Sequence, residues 1–282
     1  MYLIADSGST KTNWRLFDAT ESRNYSTIGL NPYFVGKEDF QKVLTENLPI
    51  KPELVDGISF YGSGCTPEKE PIVKAILDEH FGVDNSEVHS DLLAAARSLC
   101  KTEEGIACIV GTGSNSCYYD GKKIAKNVPA LGFILGDEGS GAVLGRKLLS
   151  DVLKNQLPEE VRTKFFEKYP TSQAEIIENV YRKPAPNRYL AAFTPFLSEN
   201  LDIPEIANLV EASFSEFIVR NILQYEKARQ LPVHFTGSIA YYFRDNLANA
   251  LNKFNLIPGH ISREPLDGLK EYHREQLKDY NL

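Results

Sequence analysis

The sequence predicts an α/β protein made of two halves built to one plan, and three observations carry that prediction. A short apolar run, Met1 to Ile4, opens into the turn "ADSGSTKT" (Ala5 to Thr12) and a second β-rich run, and the same order recurs around "GTGSNS" from Ile106 to Tyr119. Each of these starts is followed by short strands alternating with stretches of helical spacing. No low-complexity linker divides the chain, so the boundary is expected as a compact hinge near Thr102 to Gly105. The residues of the two halves do not align well enough to prove a repeat.

The elements follow in order. Tyr2 to Ala5 and Asn13 to Phe17 flank the opening turn as hairpin strands, with Asn24 to Ile28 as a third. Lys37 to Asn47 is helical, Gly57 to Tyr61 is a short strand, and Glu68 to Phe81 is helical again. Val88 leads into "SDLLAAARSL", strong helix formers that Ser90 or Asp91 could cap. In the second series Ile106 to Val110 is an apolar strand, Ser116 to Tyr119 and Lys122 to Asn127 pair around Asp120-Gly121, and helix begins at Ser140. Residues 141–229 are mainly helical, cut by Pro158, Pro170, Pro184, Pro186, Pro195 and Pro204, with the last piece running from Pro204 to Arg229. "LPVHFTGSIA" then gives strand, turn and helix start, followed by helices Tyr241 to Lys253 and Leu266 to Lys278.

Composition narrows the partners. The chain has 282 residues, 42% of them hydrophobic, enough to fill a sizeable core. A formal net charge of −7 without a Lys/Arg run argues against nucleic acid or an anionic membrane as partner, and leaves room for a small anion bound locally. The N-terminus lacks a basic segment followed by an apolar stretch, and no window approaches the roughly 18 apolar residues that span a bilayer, so a cytoplasmic location is expected. Cys65, Cys100, Cys108 and Cys117 show no zinc-ligand spacing and read as buried reduced thiols.

Four times a β-rich run ends in a Gly/Ser/Thr turn: "DSGST", "YGSGC", "GTGSN" and "TGSIA". Small residues let backbone N–H groups approach an anion, and such turns also arise simply as tight connections. The G-x-x-x-x-G-K-[ST] phosphate loop is absent, and no turn has the third glycine of the dinucleotide fingerprint. Asp6, beside the first turn, would repel phosphates unless a hard cation intervened, which makes it a candidate Mg²⁺ partner through water or, alternatively, an Asx turn residue. Lys11 reads equally as a phosphate contact or a solvated hairpin lysine. Asp91 is either a helix cap or a general base. Asn31 either ends a strand before Pro32 or contacts sugar hydroxyls, and Asp137 and Glu138 suit a helix start or hydrogen bonds to vicinal hydroxyls. The apolar stripe of Phe214, Phe217 and Ile218 and the lone His234 read as packing.

Asp-x-Gly-x-Thr-Lys-Thr after the first strand, Gly-Thr-Gly-Ser-Asn after a later one, Gly-Asp-Glu-Gly-Ser before a helix and a late Thr-Gly-Ser together resemble the sugar-kinase, heat-shock ATPase and actin superfamily. More narrowly they resemble the N-acetylglucosamine kinase branch of the BadF/BadG/BcrA/BcrD ATPase family, over Ala5 to about Ala240. The resemblance implies two ribonuclease-H-like (actin-like ATPase) domains with a nucleotide cleft between them: residues 1–103, and residues 104–268 with a helical insertion, the last helix (about 269–282) packing back on the first domain. It implies ATP and Mg²⁺ as cofactors, Asp6 near the metal, Ser9, Thr10 and Lys11 as the first phosphate loop, and Thr112, Gly113 and Ser114 as the second. Gly237, Ser238 and, more weakly, Ala212 would lie by adenosine. Asn31, Asp91, Gly132 and Asp137 fall on the sugar side, with Asp91 as the base that takes a hydroxyl proton while that oxygen attacks the γ-phosphorus. One departure concerns substrate choice: many relatives carry Gly-Trp-Gly where this chain has Ala130, Leu131 and Gly132.

The expected activity is phosphorylation of an amino sugar, with N-acetylglucosamine as the named substrate, a small molecule as partner, no nucleic acid or membrane, and a homodimer as the candidate assembly. Two other readings share the fold. An ATPase that activates a 2-hydroxyacyl-CoA dehydratase would need exposed thiolates for an iron–sulfur cluster. A non-catalytic sugar or ATP sensor would need no base.

Overall fold

A computed structural model describes residues 1–8 and 10–278. The first sheet is built from β1 (Tyr2–Ser7), β2 (Lys11–Phe17), β3 (Ser22–Ile28), β4 (Gly57–Gly62) and β5 (Glu87–Ser90), with α1 (Lys37–Glu46), α2 (Glu70–Phe81) and α3 (Asp91–Cys100) in the connections. Its order is β3-β2-β1-β4-β5; β1, β2 and β3 pair antiparallel, and β4 and β5 run parallel to β1. Leu3, Ile4 and Ala5 are fully buried in succession, as expected for a central strand covered on both faces. Leu3, Ala5, Trp14, Leu16 and Phe60 pack with Phe40 and Val73 of the helices on one side, while Ile4, Phe17 and Tyr61 face Ala94 of α3 on the other. Trp14, the only tryptophan, is a core residue whose indole Nε1 donates to Thr27 Oγ1 at 3.0 Å.

The second sheet uses β6 (Glu104–Val110), β7 (Ser114–Asp120), β8 (Ile124–Val128), β9 (Pro232–Thr236) and β10 (Ile257–Ser262). Between β8 and β9 lie α4 (Gly132–Leu135), α5 (Gly141–Leu153), α6 (Glu159–Lys168), α7 (Gln173–Tyr181), α8 (Pro186–Ala191), α9 (Thr194–Glu199) and α10 (Pro204–Arg220); α11 (Ser238–Tyr242) and α12 (Arg244–Lys253) precede β10, and α13 (Leu266–Lys278) follows it. The strand order is β10-β9-β6-β7-β8. Counted from its first strand this is the same third-second-first-fourth-fifth arrangement as the first sheet, with the same mixture of antiparallel and parallel pairs. The repeat that residue alignment could not prove is therefore present in the topology. Two ribonuclease-H-like sheets with helices in their connections are the architecture of actin-like ATPases.

The chain forms two compact units, one of residues 1–103, 121–123 and from Glu264 onward, the other of 104–120 and 124–263. Within the first unit α13 lies against α3, where Lys101 Nζ donates to the Gly268 carbonyl at 2.7 Å and Leu266 and Leu269 join the core beside Tyr61. Two expectations change, and one strand was not expected. The long helix stops at Arg220, because Asn221 turns its amide inward to Glu138 and a 3₁₀ turn, Ile222–Gln224, follows. The helix expected from Tyr241 to Lys253 is two helices, α11 and α12, divided at Phe243. β10 has no sequence signal, because Pro258, Gly259 and a register shift break its alternation.

Candidate functional site

In the first unit the acids gather at the end of β1. Asp6 stands opposite Asn13 and Tyr61 in the ladder and is half-buried. Burial, then the neighbouring Asp91 and Glu264 carboxylates, push its carboxyl up to about 7 against the opposing charge of Lys11. Asp91 opens α3, but Ser90 is the cap: its Oγ accepts the Leu93 N–H at 3.3 Å. The capping role is thus taken, and Asp91 keeps a carboxyl whose pKa burial raises against the backbone N–H groups of Leu92 and itself. A carboxylate made more basic this way is a better proton acceptor near neutral pH.

Asn31 belongs to the same neighbourhood through the "YGSGC" turn. It is buried, its Oδ1 accepts the Tyr33 N–H at 2.9 Å, and Gly64, at φ +82°, lies so close that a Cβ there would collide with that oxygen. Next in the turn, the buried Cys65 thiol is pushed up to about 12, by burial first and then by the charge of Asp91. Glu264 was not among the sequence candidates. It is exposed, accepts Asn13 Nδ2 at 3.4 Å, and comes from a stretch with no motif.

The opening turn is held by its own hairpin, by the chain after β3 and by the turn after β4, where Leu30 N–H donates to Ser7 Oγ at 3.1 Å and Ser63 N–H to the Ser7 carbonyl at 2.8 Å. Gly8 N–H donates to the Lys11 carbonyl at 3.0 Å, Gly29 N–H to the Thr10 carbonyl at 2.9 Å, and the buried hydroxyls of Ser7 and Thr12 meet at 2.8 Å. Thr10 and Lys11 are exposed, as a first phosphate loop requires. Ser9 lies outside the described residues.

In the second unit three separate motifs meet at one turn. Gly111 to Ser114 joins β6 to β7, and the N-terminus of α5 docks on it: Gly141 N–H donates to the Gly111 carbonyl at 2.8 Å and Ala142 N–H to the Thr112 carbonyl at 3.0 Å. Asp137 Oδ1 accepts the Ser114 N–H at 3.1 Å, and Ser114 Oγ donates to the Glu138 carbonyl at 2.8 Å. Asp137 therefore braces the turn. Ser140, not Asp137, caps α5 by accepting the Val143 N–H at 3.3 Å. Burial raises the Asp137 pKa, the Ser114 N–H opposes this, and Glu138 adds to it. From the other side Gly237, at φ +124°, packs so tightly that a Cβ would collide with the Val110 carbonyl, and Ser238 opens α11 there. Among the described residues the N–H groups of Thr112 and Gly113 make no hydrogen bond, and the turn that carries them is held by α5, Asp137 and Gly237.

The remaining candidates stand apart. Ala212 is exposed on α10 and lines a groove of about 670 Å³ with Arg146, Lys147 and Ser150 of α5. Gly132, at φ +73°, follows Leu131 at φ +63° into the four-residue α4, which leaves Leu131, Ile134 and Leu135 exposed. The sugar-side residues divide between the units, Asn31 and Asp91 in the first, Gly132 and Asp137 in the second. All four cysteines are free and buried, and burial pushes the Cys100 thiol to about 12 as well. His234 is structural, its Nδ1 accepting the His260 N–H at 3.0 Å. Among the described residues no helix is long and apolar enough to cross a membrane.

Comparison with known proteins gives a consistent picture. A protein of Porphyromonas gingivalis named a "putative N-acetylglucosamine kinase" is 45% identical, with a TM-score of 0.94 over 98% of this chain and 99% of that one. A ROK family glucokinase from Streptomyces griseus, solved with glucose and AMPPNP, shares the fold at 12% identity, TM-score 0.53, over 94% of each chain. MreB5 of Spiroplasma citri, bound to ADP, shares it at 11% identity, TM-score 0.51, over 99% of this chain and 98% of that one. No curated protein matches. The model of one family matches residues 5–255, and the chain belongs to that family, the BadF/BadG/BcrA/BcrD ATPases.

Proposed function

We propose that this protein is an ATP-dependent kinase that phosphorylates a hydroxyl of an amino sugar, with N-acetylglucosamine the leading substrate. The observation that carries the reading is the turn Gly111 to Ser114, held by two distant motifs and presenting the unpaired N–H groups of Thr112 and Gly113. The name of the 45% identical Porphyromonas gingivalis protein supports the choice of sugar.

Bound ATP would supply the phosphoryl group, and Mg²⁺ would neutralise the charge developing on it. The residues present fit both. In the second unit Thr112 and Gly113 offer backbone donors and Ser114 fixes the turn, its hydroxyl being committed to Glu138. Gly237 and Ser238 at the start of α11, with Ala212 on α10, would form the nucleoside side in this reading. In the first unit Thr10 and Lys11, both exposed, would offer a hydroxyl and a cation to a phosphate. Asp6 would hold Mg²⁺ through water. Among the described residues no group of three or more His, Cys, Asp or Glu could hold a metal, so the ion would keep most of its waters and phosphate oxygens, as Mg²⁺ does elsewhere.

The acceptor hydroxyl would lose its proton to Asp91, whose raised pKa suits it to the task. Asn31 and Asp137 would orient the sugar through hydrogen bonds, and Gly132 would let the ring approach the backbone. A coupled ADP-release assay tests the reading, run with N-acetylglucosamine, glucosamine, N-acetylmannosamine, N-acetylmuramic acid and glucose beside Asp91→Asn. Sugar-dependent release that Asp91→Asn abolishes is the expected result. ADP release that ignores both sugar and mutation contradicts it and favours a plain ATPase.

A further inference from the structure

The Gly-Asp-Glu-Gly-Ser motif contributes more than Asp137. Glu138 sits between two residues in the left-handed region, Asp137 at φ +53° and Gly139 at φ +74°, in a segment that would not hold that shape unaided. Its carboxylate is buried and points away from the turn, toward the end of α10. There Oε1 pairs with Arg220 Nε at 2.6 Å and Oε2 accepts Asn221 Nδ2 at 3.2 Å. Its carbonyl oxygen meanwhile receives the Ser114 hydroxyl at 2.8 Å. Gly139 completes the seat by lying against Phe214 and Phe217 of α10, with a Cβ there meeting Phe217 Cβ at 3.1 Å.

One residue therefore ties the glycine turn to a helix whose sequence lies far from both. Replacing the carboxylate by an amide removes the charge that holds Arg220 while keeping an oxygen that Asn221 Nδ2 can reach, and so frees the 137–139 segment to relax at little cost in stability. The Ser114 N–H, held only by Asp137 Oδ1 within that segment, would be the first bond to loosen.

We infer that Glu138 is a positioning residue: through Arg220 and Asn221 it fixes the 137–139 segment, and through that segment it sets the direction of the Thr112 and Gly113 N–H groups. The inference concerns geometry within the second unit, and its consequence for ATP rests on the proposed kinase reading. It also assigns a role to Asn221, which ends α10 where helical spacing alone would continue it.

Glu138→Gln, Arg220→Met and the double variant test this by hydrogen exchange of residues 111–115 in the ligand-free protein, with calorimetry of AMPPNP binding alongside. Arg220 is more than half exposed, so Arg220→Met guards against a folding failure of Glu138→Gln. Each single variant should speed exchange at Ser114 about ten-fold, and the double variant should add little, because both act on one pair. The AMPPNP dissociation constant should rise by a similar factor of about ten with the melting curve nearly unmoved. A merely structural role would lower the melting temperature and leave the exchange at Ser114 and the affinity of the folded protein unchanged, which would overturn the inference. Faster exchange at Ser114 in a protein whose wild type binds no AMPPNP would uphold the positioning role and remove the kinase reading instead.

Discussion

In the first unit the glycine turn after β1 is closed mostly by the antiparallel strands around it: Gly8 bonds to Lys11, Ser7 to Thr12, and the chain leaving β3 returns through Gly29 to Thr10 and Leu30 to Ser7, with Ser63 N–H reaching the Ser7 carbonyl from the turn after β4. In the second, the turn after β6 is closed from far away, by α5 and Asp137 on one side and by Gly237 on the other. The sheets beneath have the same strand order. One topology thus supports a turn held mostly by strands of its own sheet and one braced by helix N-termini and an acid from outside the sheet. The first should tolerate change at its glycine. The second should not, because its shape is a property of the packed unit. The acids divide the other way, with Asp6 and Asp91 beside the turn after β1.

The largest expected effect is chemical and belongs to the first unit. Asp91→Asn should lower kcat by about 10² to 10⁴-fold with little loss of stability, since Ser90 carries the cap. Retention of full activity would move the base elsewhere. Next comes Gly237→Ala, which combines a positive φ with a collision on the Val110 carbonyl and should cost about 3 kcal/mol, read as a lower denaturation midpoint. Its counterpart, Gly8→Ala, places a Cβ 3.7 Å from the Lys11 carbonyl, an ordinary contact, and should cost less than about 1 kcal/mol. Equal costs at the two positions would erase the distinction between the turns.

A pH dependence sharpens the contrast within the first unit. His273 on α13 is buried against Tyr61, whose hydroxyl receives Arg97 Nη1 at 2.8 Å and shares a hydrogen bond with His273 Nε2 at 2.9 Å. Tyr2, Glu87, His89 and Tyr272 complete its surroundings. Burial, then the Arg97 charge, lower its pKa to about 3. The folded state refuses a proton that the unfolded chain accepts below about 6.5, so stability should fall as pH drops from about 6.5 toward 3, by about 1.4 kcal/mol per unit at most. His273→Gln should flatten that slope in urea titrations at several pH values. A slope unchanged in the variant would place the acid sensitivity elsewhere, as at His234, a half-buried histidine whose pKa burial lowers. Ser114→Ala, which removes one buried hydrogen bond, should cost about 1 kcal/mol.

What could be read from sequence follows the same division. Strands with apolar runs, Ile106 to Val110 above all, and helices with capping residues are legible, because period and cap are local signals. The pairing of "GTGSN" with "GDEGS" was legible as a combination of motifs, and the structure gives it a physical basis in the bonds from Gly141, Ala142 and Ser114. Three features were not legible. β10 lacks alternation, since Pro258 and Gly259 interrupt it. The end of α10 at Arg220 depends on Asn221 reaching Glu138, a long-range bond. Glu264 has no motif around it and joins the acids only because the chain returns to the first unit after β10.

The most direct test of the account is residue-resolved hydrogen exchange with and without Mg²⁺ and AMPPNP. If the remotely braced turn holds the phosphates, the Thr112 and Gly113 amides, unpaired among the described residues without nucleotide, should become strongly protected when it is added. Nucleotide binding that leaves these two amides exchanging as before would contradict the account.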